Sequence, residues 1–327
     1  MVLEHQSAEE DMLLQASSLG SGKTAAGEAA GGGGGGNSGD GGSEEEDDDI
    51  ADAADDRGAA GAERGATVAG AASSAAFGNA AAAASSGLDA DDGGPMSFEV
   101  RELAIRNADD PFGSEPSQDQ TGLGVWAAAV VMARWLAGPA LSVRLQGAAI
   151  LELGAGCGVS GLSAAVHARP SRLVLTDLNP ETVANLAHNV ELNRRRFHAA
   201  GGRHVFVATL DWGDTSTWPV QRSGEGFDFV IGCDLIYHKP AAPLLANAIA
   251  GMCRRGGTFL YVAPDTGRDG LPEFFAALAL RGFAALSAEQ APEHYKENPL
   301  LSGSEGDYLL YFNELQRPHM LYEFRRR

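Results

Sequence analysis

The stretch that decides the fold is "AAILELGAGCGVSGLSAAVHA", residues 148–168. An apolar run over 148–154 ends in glycine, as expected of a strand buried on both faces, and 159–168 has the composition of a helix. Between them Gly154, Gly156 and Gly158 alternate with small residues. Glycines let the backbone turn sharply and come close to a ligand. A strand, a glycine turn and a helix in that order open a βαβ unit, so the question is whether the rest of the chain repeats it.

It does. "RLVLTD" (172–177) reads as a second strand and "NPETVANLAHNVELNRRR" (179–196) as a long helix. Asn179 is a candidate cap, Pro180 suits the first turn, and Val183, Leu186, Ala187, Val190 and Leu192 supply an apolar stripe. "HVFVATLDW" (204–212) and "FDFVIGCDLIY" (227–237) read as strands three and four. A helix over 242–257, a fifth strand over 258–264 and a helix over 271–283 follow. Upstream, 96–106 reads as an extended lead-in and 121–138 as a helix ending at Gly138. Near the C-terminus, 307–315 and 319–327 look β-like with no helix between them, which implies antiparallel pairing. Apolar strands alternating with helices imply a mainly parallel sheet covered on both faces.

Composition places this domain at residues 96–327. Residues 1–95 hold 19 of the 44 acids and 3 of the 24 Lys and Arg. That leaves the remainder at a net charge of −4 out of −20. The extension carries "GGGGGG", "EEEDDD" and "AAAAASS", with Phe77 its lone aromatic residue. A chain so poor in large apolar side chains cannot offset its ordering entropy and is expected to be disordered. A short helix over 7–16 is the one element suggested within it. Its acidity suits either a solubilising tail or a lure for a basic partner. Three cysteines without paired spacing argue for a reducing compartment and against a disulfide framework or a metal site. No apolar run reaches the roughly 20 residues of a membrane span, and no secretory signal is evident. The expected location is the cytoplasm, or also the nucleus.

In sheets of this kind ligands bind beyond the carboxyl ends of the strands. The residues there are informative jointly. After strand one, Gly156, Gly158 and Gly161 spell G-x-G-x-x-G, while Glu152, Gly154, Gly156 and Gly158 spell E-x-G-x-G-x-G. The first pattern suits a dinucleotide, but its register starts late, and Glu152 would face two phosphates. The second suits S-adenosylmethionine, whose ammonium and sulfonium favour a nearby acid. After strand two, Asp177 can hold ribose hydroxyls in either class or cap the next helix. After strand three, Asp211 can accept from an adenine amine and Trp212 can stack on the ring, or Trp212 can be core packing. After strand four, Asp234 and Tyr237 sit three apart, suited to orienting and walling an amine. No Tyr-x-x-x-Lys or His–Asp pair offers a hydride-transfer partner. Placement after four consecutive strands favours methyl transfer.

These residues resemble methyltransferase family sixteen, the seven-strand protein methyltransferases that include the methyltransferase-like 21 type. The resemblance rests on "VW" (125–126), "LELGAGCGVSGL" (151–162), "LTDLNP" (175–180), "LDW" (210–212) and "CDLIY" (233–237), and it spans 97–327. It implies an α/β class I, Rossmann-like sheet of seven strands, mostly parallel with an antiparallel C-terminal strand, and helices on both faces. It implies S-adenosylmethionine as cofactor. Trp126 would contact it from the preceding helix, and Gly154, Ala155 and Gly156 would line its methionine and ribose. Asp177 would bind the ribose, Trp212 would flank the adenine, and Cys233 would touch it through backbone where the family more often has Ala. Asp234 and Tyr237 would form the D-x-x-Y motif at the target amine. The implied reaction is methyl transfer to a protein lysine, with a chaperone or translation factor as the kind of substrate. A monomer is expected. The alternatives are an Arg, His or small-amine acceptor, or a non-catalytic binding protein on the same fold. Nucleic acid is disfavoured, because basic runs are limited to 194–196 and 325–327. Residues 293–308 are either a substrate-facing loop or a surface insertion.

Overall fold

The computed structural model describes residues 74–78 and 97–327, apart from 107–109, 114, 200–203, 220–223, 225 and 301–304. The helix suggested over 7–16 lies outside the described residues. Ser74–Gly78 (β1) pairs antiparallel with Ser97–Arg101 (β2). The main sheet has seven strands: Ala149–Leu153 (β3), Arg172–Asp177 (β4), Val205–Thr209 (β5), Phe227–Cys233 (β6), Cys253–Pro264 (β7), Phe283–Gln290 (β8) and His319–Arg326 (β9). Their order is β5-β4-β3-β6-β7-β9-β8. β3 to β7 run parallel, and β9 lies antiparallel between β7 and β8. The chain reverses its direction of travel between β3 and β6, which makes their carboxyl ends the switch point where a ligand crevice forms.

The alternation of side chains splits the core in two. Ile150, Leu173, Leu175, Ile231, Leu260 and Val262 face Ala127–Ala137 (α1), Val159–His167 (α3) and Pro180–Ala199 (α4). Leu151, Leu153, Val174, Val230, Phe259 and Tyr261 face Ala242–Met252 (α5) and Leu271–Leu280 (α6). Pro139–Leu145 (α2) follows α1 after Gly138, whose N–H caps α1 on the Arg134 and Trp135 carbonyls. No single described helix is long and apolar enough to cross a membrane. The bent α1–α2 pair passes by length and composition, but its apolar residues are mostly buried in the core.

Several boundaries differ from the sequence reading, each for a physical reason. The helix expected over 121–138 begins only at Ala127. Gly122 and Gly124 interrupt it, Thr121–Leu123 is a single 3-10 turn, and Gly124 is extended. The helix expected to reach 257 stops at Met252, and β7 starts at Cys253. Gly256 holds φ +71°, and a Cβ on Gly257 would lie 2.8 Å from the Arg254 carbonyl, so the "RRGG" segment turns into the strand.

The β-like 307–315 is instead the helix Glu305–Tyr311 (α7) and the turn Asn313–Gln316. Its buried residues Tyr308, Phe312 and Leu315 are spaced four and three apart, a helical period that outweighs the aromatic strand propensity. β8 was not anticipated, being a mostly exposed edge strand.

In α4 the cap at Asn179 is as expected: its Oδ1 accepts from the N–H groups of Glu181 at 2.8 Å and Thr182 at 3.2 Å. The stripe is not as expected. Ala187 and Leu192 are exposed, while Asn185, Asn189 and Asn193 are fully buried. These three asparagines serve β2. Asn193 accepts from Glu99 N at 2.8 Å and donates to Glu99 O at 2.6 Å. Asn189 accepts from Arg101 N at 2.8 Å and donates to Arg101 O and Cys157 O at 3.0 and 2.9 Å. The ladder satisfies backbone groups of β2 that no strand of the main sheet serves, and ties the lead-in segment to the glycine loop.

Candidate functional site

The carboxyl ends of β3 to β7 and the 112–126 segment enclose a cleft of about 580 Å³. Trp126, Glu152, Gly154, Ala155, Gly156, Asp177, Asp211, Trp212, Cys233, Asp234 and Tyr237 all line it. The eleven positions come together because each lies at or just beyond the carboxyl end of a strand on the same side of one parallel sheet, or on the segment folded over that side.

The glycine loop is built as its composition requires. Gly154, Gly156 and Gly158 have φ of +57°, +53° and +86°, in the left-handed region that favours glycine. A Cβ at Gly156 would sit 3.2 Å from the Gly122 carbonyl oxygen, so the loop and the overlying segment approach to backbone distance. Asp177 braces this loop. Its carboxylate accepts from Gly156 N at 2.9 Å and Leu178 N at 2.8 Å. Burial raises its carboxyl above the ordinary range, and the backbone N–H donors partly offset that.

Glu152 lies at 2 % exposure on β3, and its Oε2 has no hydrogen-bond partner. Desolvation pushes its carboxyl up to about 8, although the Ser160 hydroxyl and the Gly161 N–H lie against the carboxyl and pull the other way. A buried acid oxygen without a partner, beside a cleft, suits a cationic ligand group. The cleft as a whole agrees: seven of its described lining residues are Asp or Glu, against one Arg. A pyrophosphate would be poorly received here; a nucleoside bearing an ammonium and a sulfonium fits. Glu152, the glycine loop and Asp177 would hold it, with Trp126 and the Asp211–Trp212 pair around it.

Trp126 is not on a helix, as had been expected, but at the extended N-cap position before α1. It is 43 % exposed, and its indole donates to Thr121 O at 2.8 Å. Trp212 packs partly against the α5–α6 side of the core. The Asp211 side chain accepts from Gly213 N at 2.7 Å, and its carbonyl accepts from the Trp218 indole at 2.9 Å. Cys233 packs 3.2 Å from the Ser160 hydroxyl, and burial pushes its thiol well up, so it is a protonated wall of the cleft.

Asp234 and Tyr237 have partners that the sequence did not reveal. Asp234 follows β6 directly with φ +52°, a conformation Asp tolerates at a cost of order 1 kcal/mol. Both its oxygens bind Arg268, from Nε and Nη2, each at 2.6 Å. Tyr237 donates its hydroxyl to Asp119 at 2.5 Å, and Asp119 also accepts from Thr121 N and Oγ1 at 2.8 and 2.6 Å. Burial and Asp119 push the Tyr237 phenol up, which keeps it protonated. Phe112 and His238 pack on the Tyr237 ring at centroid distances of 5.2 and 5.0 Å, giving the cleft mouth an aromatic wall. Asp119, Arg268 and Phe112 all sit in loops, where no periodicity marks them. The 293–308 segment is partly structural: Arg134 donates to the carbonyls of His294 and Glu297, and Tyr295 is buried.

Comparison with known proteins agrees with this geometry. The chain is 30 % identical over 160 residues to mouse EEF1A lysine methyltransferase 3, covering 49 % of this chain and 62 % of that protein. It is 30 % identical over 171 residues to human protein-lysine N-methyltransferase EEF2KMT, covering 50 % and 47 %. With Arabidopsis thaliana calmodulin-lysine N-methyltransferase it shares 29 % identity over 133 residues, covering 40 % and 41 %. The matched region thus spans about two-fifths to three-fifths of these relatives. The family described as lysine methyltransferase matches residues 113–280, a little over half of the chain, from the aromatic mouth through the glycine loop to α6. The chain belongs to the lysine methyltransferase family.

Proposed function

We propose that the protein is an S-adenosylmethionine-dependent methyltransferase that modifies a lysine ε-amine on another protein. The observation that carries this is the acidic cleft at the switch point, with Glu152 buried and one oxygen unpartnered beside the glycine loop. When bound, S-adenosylmethionine supplies a methyl activated on sulfonium: the amine lone pair forms the N–CH3 bond while the S–CH3 pair stays on sulfur. The chain's own residues do the rest. Gly154, Ala155 and Gly156 admit the ligand to backbone distance, and Asp177 accepts from the ribose. Trp212 and Asp211 flank and bind the adenine, Cys233 lends its backbone, and Trp126 closes the cleft over them. Asp234 orients the amine, and Tyr237, held by Asp119, walls the approach. Positioning is the main lever, since the nucleophile needs only the right distance and line. A free lysine has a pKa of about 10.4, so burial against Tyr237 and Phe112 also has to favour its neutral form.

The relatives' names, which specify lysines of EEF1A and of calmodulin, support a protein acceptor over a small amine. Three free cysteines support a reducing compartment, the cytoplasm or nucleus. The test is incubation of the purified chain with methyl-labelled cofactor and a cell lysate, beside Asp234→Asn. A labelled protein band that disappears in the variant is expected. Label entering only small molecules would refute the reading.

A further inference from the structure

Among the described residues, the cleft lined by carboxylates carries one permanent cation, and that cation sits on the acid assigned to the acceptor. Arg268 is the only Lys or Arg among the described lining residues. It comes from the loop after β7, the strand next to β6, and its fork takes both oxygens of Asp234. The side chains of Arg268 and Asp234 are 19 % and 12 % exposed, so the pair is largely withdrawn from water. In a site for a cationic cofactor and a lysine, a guanidinium in this position needs a reason.

The neighbouring groups narrow the reason down. Glu314, on the Asn313–Gln316 turn, adds a second acid within electrostatic range of Arg268. His319, at the start of β9, is buried, and burial favours its neutral form. Tyr261 on β7 and Tyr237 across the cleft are phenols held protonated by burial. Asp119 is engaged by Tyr237 and Thr121, and Cys233 is a half-buried thiol held protonated by its surroundings. Glu152, on the strand next to β6, and Asp177, which braces the glycine loop, also line the cleft. His238 packs on Tyr237 at the mouth. Among these groups Arg268 alone supplies a fixed positive charge.

A carboxylate has about four acceptor sites, and the fork uses two, so Asp234 can still accept from an amine N–H. The charge it presents is another matter. A bare carboxylate stabilises an ammonium; a carboxylate already paired with a guanidinium does so far less, and the guanidinium itself repels the ammonium. The ammonium has no lone pair and cannot attack. We propose that Arg268 is a positioning residue: it fixes the Asp234 carboxylate and offsets its charge, so that the cleft holds the acceptor lysine as the free amine, its proton having left to water. This inference rests on the lysine methyltransferase reading above.

The test uses the full chain, labelled S-adenosylmethionine and the lysate acceptor band, with initial rates measured from about pH 6.5 to 9.5. Arg268→Gln should bind cofactor by calorimetry within a few-fold of wild type. Its acidic limb should move up by about one pH unit, so that transfer near neutrality falls about tenfold and recovers at high pH. Arg268→Lys keeps the charge without the fork, and its limb should stay where wild type has it. An unmoved limb in Arg268→Gln, or faster transfer near neutrality, would overturn the inference and make Arg268 a plug that substrate displaces. If the Gln variant fails to bind cofactor, the Lys variant decides: a displaced limb there overturns the inference. Absence of protein labelling by wild type would refute the methyltransferase reading and this inference together. Labelling with an unmoved limb refutes this inference alone.

Discussion

Replacing Glu152 with glutamine keeps the shape of the side chain and removes its titration. The ordinary glutamate value is 4.5, and in the fold burial pushes it to about 8. Between those values the folded chain holds a proton that the unfolded chain releases, so stability falls as pH rises through that window. Each unit is worth about 1.4 kcal/mol, so the wild type should lose on the order of 2–3 kcal/mol relative to Glu152→Gln between about pH 6 and pH 8. For a domain of this size that is roughly 5–10 °C of Tm. Burial lowers the pKa of His167 and His319, so their contribution has the opposite sign: it is present at high pH and lost as pH falls. Those two titrate identically in both proteins and cancel in the difference. The assay is thermal unfolding of both proteins without cofactor across that pH range. Parallel Tm curves would refute the claim that Glu152 is a buried acid waiting for a cation. The same acid should make S-adenosylmethionine bind more tightly as pH rises in the wild type. In the variant, binding should be weaker and nearly flat with pH.

Three further expectations follow from individual contacts. Gly156→Ala forces a side chain into φ +53° and against the Gly122 carbonyl at 3.2 Å; cofactor affinity measured by calorimetry should fall at least tenfold. An affinity within twofold of wild type would mean that the loop does not carry the ligand. Asn189→Ala strips partners from Arg101 N, Arg101 O and Cys157 O; urea unfolding should show a loss of about 2–4 kcal/mol, against less than about 0.5 for the exposed Leu192→Ala. Tyr237→Phe removes the phenol donor from Asp119; transfer should fall about tenfold with cofactor binding unchanged, and an unchanged rate would reduce Tyr237 to a packing role.

The sequence carried the parallel core and the cleft floor well, because both are written in local patterns. An apolar run that ends in glycine or an acid marks where a buried strand stops, and every such stop lies on the same side of the sheet. That is why the sequence alone brings Glu152, Asp177, Asp211 and Asp234 together. The missed elements answer to contacts distant in sequence. Asn185, Asn189 and Asn193 look like a solvated polar face until β2 is seen to lie on them, more than 80 residues away. Helix α7 is rich in strand-prone aromatics, and only the four-and-three spacing of Tyr308, Phe312 and Leu315 betrays it. Asp119 and Arg268 lie in polar loops where nothing separates a site residue from an ordinary surface charge. Their importance appears only in the pairs they form with Tyr237 and Asp234.

The proposed acceptor is a lysine on a protein. The most direct measurement is acid hydrolysis of the band labelled by the wild-type chain and methyl-labelled S-adenosylmethionine, followed by amino-acid separation. Label is expected in methylated lysine, and none when Asp234→Asn is used. Label in methylated arginine or histidine, or a lysine signal undiminished in the variant, would contradict it.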